Sequence, residues 1–489
     1  MILTATNKYL MAGDGGEITW GEFVRYIGLW LIMSTVASGV DRKRFFTSDA
    51  VSCWDGAPWR LSEYMAGWKF ERITAHIRLT DKEPPAYRDK FHEVRDLIAA
   101  FNQKMKEVFI PSWVSCLDES MSIWTSRWTC PGFMYVPRKP HTMGNEYHSI
   151  CCGKCEIMFA IELVEGKDQP KEAPKPDYDD LGKTAGLLLR LCEGIFSTGK
   201  IVILDSGFCV LQGIIELQKC GVFASALIKK RRYWPKHVDG EGIARHFEDK
   251  PIGTTMRLPG VLDGERFDLF CMKDEGYVMS LMSTYGSLQV KKGQKDSVRV
   301  GDNGERSVFK YREVIANHFD YRGAVDFHNS KRHDCGTKHG LSLEETWRTT
   351  NWTVRVFSFI LAVTEVNAFL AMRYFGGLMC TQLEFRRKLA HEMVHNPYDV
   401  DGAKTRSLTV IQKPPKEEHR LITAKNGCRW VDGKWMKAFK NEFQQVKCAH
   451  PNCKKRIRTV CTCSPYVFRC HDHFIEHMLT PSNDAIAFD

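Results

Sequence analysis

An α/β protein is what these 489 residues predict: a mixed α/β core carrying a β-rich insertion, flanked by helical segments and followed by a small cysteine-rich unit. Three observations lead there. Apolar spacing is helical up to about residue 110, breaks into short strand-like runs after Pro111, and turns helical again beyond residue 336. Hydrophobic residues make up 43% and charged residues 26%, which is a globular composition and excludes disorder as the main state. Six of the 18 cysteines (Cys428, Cys448, Cys453, Cys461, Cys463 and Cys470) crowd into the last 62 residues.

The segments follow in order. Residues 1–110 place Phe23, Ile27, Trp30 and Leu31, then Phe91, Val94, Leu97, Phe101, Met105 and Val108, at helical intervals. Residues 111–232 alternate strand runs at 113–117, 147–151, 157–164, 201–204 and 222–228 with helical patterns at 181–196 and 211–219. Gly and Pro punctuate residues 233–308, where the alternating runs 267–272 and 277–282 predict a β-rich insertion, and 309–335 resumes the core. Residues 336–398 form a second helical part, with Trp352, Val356, Phe359, Ile360, Val363 and Leu370 on one stripe and a last helix ending before Asn396-Pro397. A linker at 399–418, containing Lys413-Pro414-Pro415-Lys416, leads to the cysteine-rich segment 419–489.

The apolar runs 26–40 and 356–372 are, respectively, too short for a membrane span and interrupted by Glu365, so both predict buried helices and no membrane contact. Residues 1–9 lack the basic start and apolar stretch of a secretory signal. In a non-secreted chain the cysteines are expected as thiols or metal ligands. Lys and Arg exceed Asp and Glu by 69 to 59, a balance compatible with a polyanionic partner such as nucleic acid.

Several constellations could carry chemistry. Asp118 and Asp205 each stand in or at the end of an apolar strand run, where an acidic group is costly unless a cation or hydrogen-bond donor compensates it. Asp205, followed by Ser206-Gly207, could equally cap a helix. Asp326 and Asn329, three residues apart, share a face if their segment is helical, and Asp326 could be only a helix N-terminal charge. Cys448, Cys453, Cys461, Cys463, Cys470, His473 and His477 supply seven ligands within 30 residues, nearly enough for two tetrahedral zinc ions. Alternating pairs assign Cys448, Cys453, Cys470 and His473 to one ion. Cys461, Cys463 and His477 remain for the other, with a fourth ligand among His419, Cys428, His450 and His471. Cations and aromatics interleave around Arg138 and Lys139 and at Lys229, Lys230, Arg231 and Arg232, as contacts to phosphates and unpaired bases require, although a solvated basic face has the same composition. His391-Glu392-Met393-Val394-His395 matches the zinc-peptidase helix, but Tyr398 and Asp401 stand where one class of these enzymes has Gly and its third ligand. Cys151, Cys152 and Cys155 read as incidental thiols of a strand and turn.

Asp118-Glu119-Ser120-Met121, then Met134-Tyr135-Val136-Pro137-Arg138-Lys139-Pro140 with Gly144, Asp205 before Phe208, and Gly323-Ala324-Val325-Asp326 together resemble the piggyBac family of DNA transposases and their domesticated derivatives. Trp68-Lys69-Phe70-Glu71-Arg72-Ile73 and Arg88-Asp89-Lys90-Phe91 are similar to that family's helical domain, and the resemblance spans about residues 19–477. It implies a ribonuclease H-like catalytic core in which Asp118, Asp205 and Asp326 hold two Mg²⁺ or Mn²⁺ ions, with Asn329 standing where a fourth acidic residue often follows. It also implies cleavage and strand transfer at element ends, TTAA target sites, a cross-braced zinc tail gripping the element's end, a homodimer bridging two double-stranded DNA ends through the helical domain, and a nuclear location. Lys454, Lys455, Arg456 and Arg458 fit either an import signal or DNA contacts of the tail. The alternative within the same family is a domesticated, catalytically silent DNA-binding protein.

Overall fold

Helical spacing in the first hundred residues becomes α1 (Ile2–Ala12), α2 (Trp20–Met33), α3 (Gly67–His76) and α4 (His92–Val108). The computed structural model describes the chain apart from residues 13–15, 37–41, 47–59, 138, 231–232, 291–292, 301–303, 305, 336–340, 399–420, 424–427, 432–433, 438–445, 451–452, 458, 462–469, 471–472 and 474–489. It divides into two units, Met1–Val400 and Asp401–Asp489. The linker expected at 399–418 lies outside the described residues.

Thr19 starts α2 with a capping box, its hydroxyl accepting from the Glu22 N–H while the Glu22 carboxylate accepts from the Thr19 N–H. After Pro111 the backbone extends into β1 (Val114–Ile123), β2 (Phe133–Tyr135), β3 (Met143–Cys152) and β4 (Met158–Leu163); then come α5 (Lys183–Cys192), β5 (Ile201–Leu204), α6 (Leu211–Lys219) and β6 (Phe223–Leu227). β1 lies antiparallel to β3 and parallel to β5, β3 is antiparallel to β4, and β5 is parallel to β6. The order β4-β3-β1-β5-β6, with β3 reversed between its neighbours β4 and β1, is the ribonuclease H-like arrangement. Helices cover both faces, so these strands read as nearly continuous apolar runs. Leu117, Ile150, Val202 and Leu204 face α5 and α6 through Leu188, Leu191, Ile214 and Leu217. Cys116, Tyr147, Cys151 and Met158 face the other way, toward Trp30, Phe101, Val356 and Phe359.

The segment 233–308 departs from its expected form. It opens with a helix, α7 (Gly240–Phe247), capped by the Asp239 carboxylate and buried through Ile243 and Phe247. Its strands β7 (Thr255–Leu262), β8 (Glu265–Asp274) and β9 (Tyr277–Ser283) build no sheet of their own: β9 pairs with β6, Ser225 opposite Ser283, and β8 and β7 follow outward. The physical reason is that β6 would otherwise end the parallel sheet with an unpaired edge, which the antiparallel meander closes. A separate hairpin, β10 (Ser297–Val300) and β11 (Arg306–Phe309), stands outside that sheet.

Next come α8 (Glu313–Tyr321), α9 (Ala324–Asp334), α10 (Leu343–Thr346), α11 (Trp352–Tyr374) and α12 (Gln382–Val394). α11 is long and apolar enough to cross a membrane, but most of it is buried within this unit. Trp347 stacks on Trp30 at 4.2 Å, joining the helices before β1 to those after α9. In the C-terminal unit, β12 (Leu421–Thr423) pairs with β17 (Thr459–Cys461), β13 (Cys428–Val431) with β14 (Lys434–Lys437), and β15 (Val446–Lys447) with β16 (Arg456–Ile457).

Candidate active site and metal centre

Three elements distant in sequence meet at one cleft of about 770 Å³. The middle of β1 supplies Asp118, the residue after β5 supplies Asp205, and the first turn of α9 supplies Asp326 with Asn329 one turn on. Asp205 does occupy an N-cap position, before the short 3-10 turn Ser206–Phe208, yet its side chain makes no capping hydrogen bond there. Its carboxylate accepts from the Ser206 hydroxyl at 3.4 Å and lies 3.7 Å from Lys229 Nζ. Asp326 sits where a helix N-terminal charge would, and it is exposed toward the cleft it lines.

The electrostatics of the cleft call for positive charge. Burial pushes the Asp118 carboxyl up to about 7; Lys139 and the Glu119 N–H, donated at 2.8 Å, oppose this, while Asp326 and Asp205 push it further. Hard oxygen donors around a polar space, one of them costly to ionise alone, suit a divalent cation of the Mg²⁺ or Mn²⁺ kind. Lys139 reaches into the same cleft, donating to the Glu119 carbonyl at 3.2 Å, and Asn329 donates to that carbonyl at 3.4 Å.

Sequence reasoning missed Glu119, His141, Ser330, His333 and Asp334 as cleft residues. The signal for two of them was present: Asp326, Asn329, Ser330 and His333 fall at i, i+3, i+4 and i+7, a polar stripe along one face of α9. Of the expected DNA-contact residues, Lys229 and Lys230 are exposed just after β6, and Lys454, Lys455 and Arg456 are exposed in the C-terminal unit. Arg138, Arg231, Arg232 and Arg458 lie outside the described residues.

In the C-terminal unit, the ligand atoms of Cys448, Cys453, Cys470 and His473 all lie within 4.8 Å of one another. Cys453 and Cys470 bring their sulfurs to 3.9 Å, His473 Nδ1 lies 3.1 Å from Cys470 Sγ, and the Cys470 N–H donates to Cys448 Sγ at 3.4 Å. Three thiols and an imidazole at this spacing fit a closed tetrahedral zinc site, and the backbone donor to sulfur is the outer-shell support thiolate ligands need. His450 stacks on His473 with ring centres 4.0 Å apart. Cys461 is buried on β17. Cys463, His477, His419 and His471 lie outside the described residues, as does the Cys428 side chain.

The His391 to His395 pair sits at the exposed end of α12, the two rings 4.2 Å apart. Among the described residues no third ligand joins it. Cys152, at the end of β3, donates to the Ser112 hydroxyl at 3.2 Å.

Comparison with known proteins agrees with this architecture. No curated protein matches the chain. Among solved structures the chain is similar to one described as a piggyBac transposase synaptic complex with hairpin DNA, with 15% identity and a TM-score of 0.58, over 80% of this chain and 76% of that one. The likeness establishes the shared fold. A family model described as Transposase IS4 matches residues 1–369. The chain therefore belongs to that transposase family.

Proposed function

We propose that this protein is a DNA transposase that cuts phosphodiester bonds at the ends of its element and joins them to target DNA at TTAA sequences, using one site formed by Asp118, Asp205 and Asp326. The observation that carries this reading is the convergence of the three carboxylates, from β1, the end of β5 and α9, on one cleft in which Asp118 is hard to ionise unaided. The three aspartates would hold two Mg²⁺ or Mn²⁺ ions. When bound, such a pair activates the attacking oxygen and stabilises the leaving one in an in-line displacement at phosphorus. Around them Lys139 and Lys229 draw the phosphate backbone in, and Asn329 and Lys139 together hold the β1 backbone at Glu119.

The C-terminal unit would bind zinc through Cys448, Cys453, Cys470 and His473, and a second ion through Cys461, Cys463 and His477, and would grip the element's end. Cutting two ends in one event requires two active sites, which supports a homodimer held by the helical segments 1–110 and 336–398 on double-stranded DNA. Work on chromosomal DNA supports a nuclear location, with Lys454, Lys455, Arg456 and Arg458 as import signal; a tagged full chain that stays cytoplasmic would count against it.

The test is cleavage of DNA carrying the sequences that flank this gene, in Mg²⁺. Wild-type protein should cut, and Asp205→Asn should bind the same DNA but leave it intact, because the amide keeps the shape and loses the charge. Full cleavage by Asp205→Asn would sink the site. Sequence-specific binding without any metal-dependent cleavage by the wild type would instead favour the silent, domesticated reading.

A further inference from the structure

α9 carries Asp326 and Asn329 into the cleft, and one turn further on it places Arg332, whose side chain is fully buried behind the cleft and reaches back to the Asn329 side-chain oxygen at 3.4 Å. The guanidinium donates to the Met121 carbonyl of β1 at 2.8 Å and pairs with the Glu344 carboxylate of α10. Glu344 in turn accepts from the Ser122 hydroxyl of β1 at 2.7 Å. The same guanidinium lies 4.6 Å from the ring centre of Phe359 on α11, and Phe359 stacks at 4.0 Å on Tyr147 of β3. One side chain thus ties α9 to the strand bearing Asp118, three residues beyond it, and to the two helices behind.

Apolar contact is non-directional and by itself leaves the register of a helix on a strand less sharply defined. Buried charged hydrogen bonds do not, because each has one satisfactory geometry and an unpaired partner is expensive. A buried ion pair adds little net stability compared with well-packed apolar residues of the same volume, so its retention here points to geometry.

We propose that Arg332, paired with Glu344, is a positioning residue that sets the register of α9 on β1 and thereby the separation of Asp326 from Asp118. The proposal rests on the three-aspartate reading above. It has a built-in comparator in the pair Arg386–Glu365, equally buried but joining α12 to α11.

The test uses the full chain with two double variants, Arg332→Met with Glu344→Leu and Arg386→Met with Glu365→Leu, both of which replace a buried pair by apolar residues. Mn²⁺ binding is titrated by electron paramagnetic resonance without DNA, alongside thermal melting and DNA cleavage. The first variant should need at least about tenfold more Mn²⁺ for half-saturation and should cleave roughly 100-fold more slowly, the scale of a misplaced catalytic group. The second should leave both within about twofold. Equal losses in the two variants, or wild-type Mn²⁺ binding in a folded first variant, would overturn the proposal. If the first variant does not fold, Arg332→Lys keeps the charge opposite Glu344 without spanning to the Met121 carbonyl. It should show the same rise in Mn²⁺ requirement, and an unchanged requirement overturns the proposal. Wild-type protein whose Mn²⁺ binding is indifferent to Asp205→Asn would instead overturn the three-aspartate reading.

Discussion

Asp118 is costly to keep ionised in the folded chain. Its carboxyl is largely enclosed where β1 meets the cleft, and burial, the largest cause, lifts its pKa from 3.8 to about 7. A carboxyl raised in the folded state stabilises the fold most when protonated, so its contribution is complete below about pH 4 and is lost as pH rises through about 7. With zinc retained and Mg²⁺ and Mn²⁺ left out, Asp118→Asn should therefore be more stable than wild type above pH 7, by up to about 4 kcal/mol. The difference should vanish near pH 4. Melting temperature measured against pH checks this, and added Mn²⁺ should raise the wild type and not the variant. Asp118 and Asp205 were legible from the sequence because an acidic residue in or beside an apolar strand run is physically expensive. His141 was not, because it reaches the cleft from a segment without periodicity, whereas His333 left a signal, the polar stripe from Asp326, that becomes readable once α9 is taken as a helix.

At the scale of elements, the pairing of β1 with β3 depends on Gly144. Its φ of +141° is one that side chains rarely adopt, and a Cβ there would collide with the Ser122 carbonyl of the paired strand. Gly144→Ala should cost about 1–3 kcal/mol or more and lower the melting temperature, whereas Gly276→Ala, with open space around it, should cost less. α6 begins and ends where its apolar spacing says. α7 was hidden inside a stretch read as β-rich, although Asp239 followed by Ile243 and Phe247 is a cap and an i, i+4 pair. The joining of β9 to β6 was illegible for a different reason: strand partners some 58 residues apart leave no local trace. The Cys448, Cys453, Cys470 and His473 set was legible because ligand spacing is local. Structural zinc supplies folding energy directly, about 10–16 kcal/mol in small domains, so a strong chelator should release at least one zinc per chain and unfold the C-terminal unit while the helical signal of residues 1–400 persists. A chain that loses no zinc, or whose C-terminal unit resists the chelator, would remove that centre.

At the scale of the whole molecule, a net charge of +10 and a proposed homodimer make binding to paired DNA ends strongly salt-dependent, since every phosphate neutralised releases counterions. Sedimentation should find two chains per pair of ends, and log affinity should fall linearly with log salt concentration. A one-to-one complex that still cuts both ends would exclude the dimer. The segment order was readable because periodicity changes at Pro111 and again before α11, while the single nine-stranded sheet spanning core and insertion had to be seen. The central claim, that β1, β5 and α9 bring three carboxylates together to share two ions, is tested most directly by Mn²⁺ anomalous diffraction from crystals of the full chain soaked in the metal. The account predicts two peaks about 4 Å apart, touched by Asp118, Asp205 and Asp326. Well-occupied Mn²⁺ elsewhere, with none between these aspartates, would contradict it.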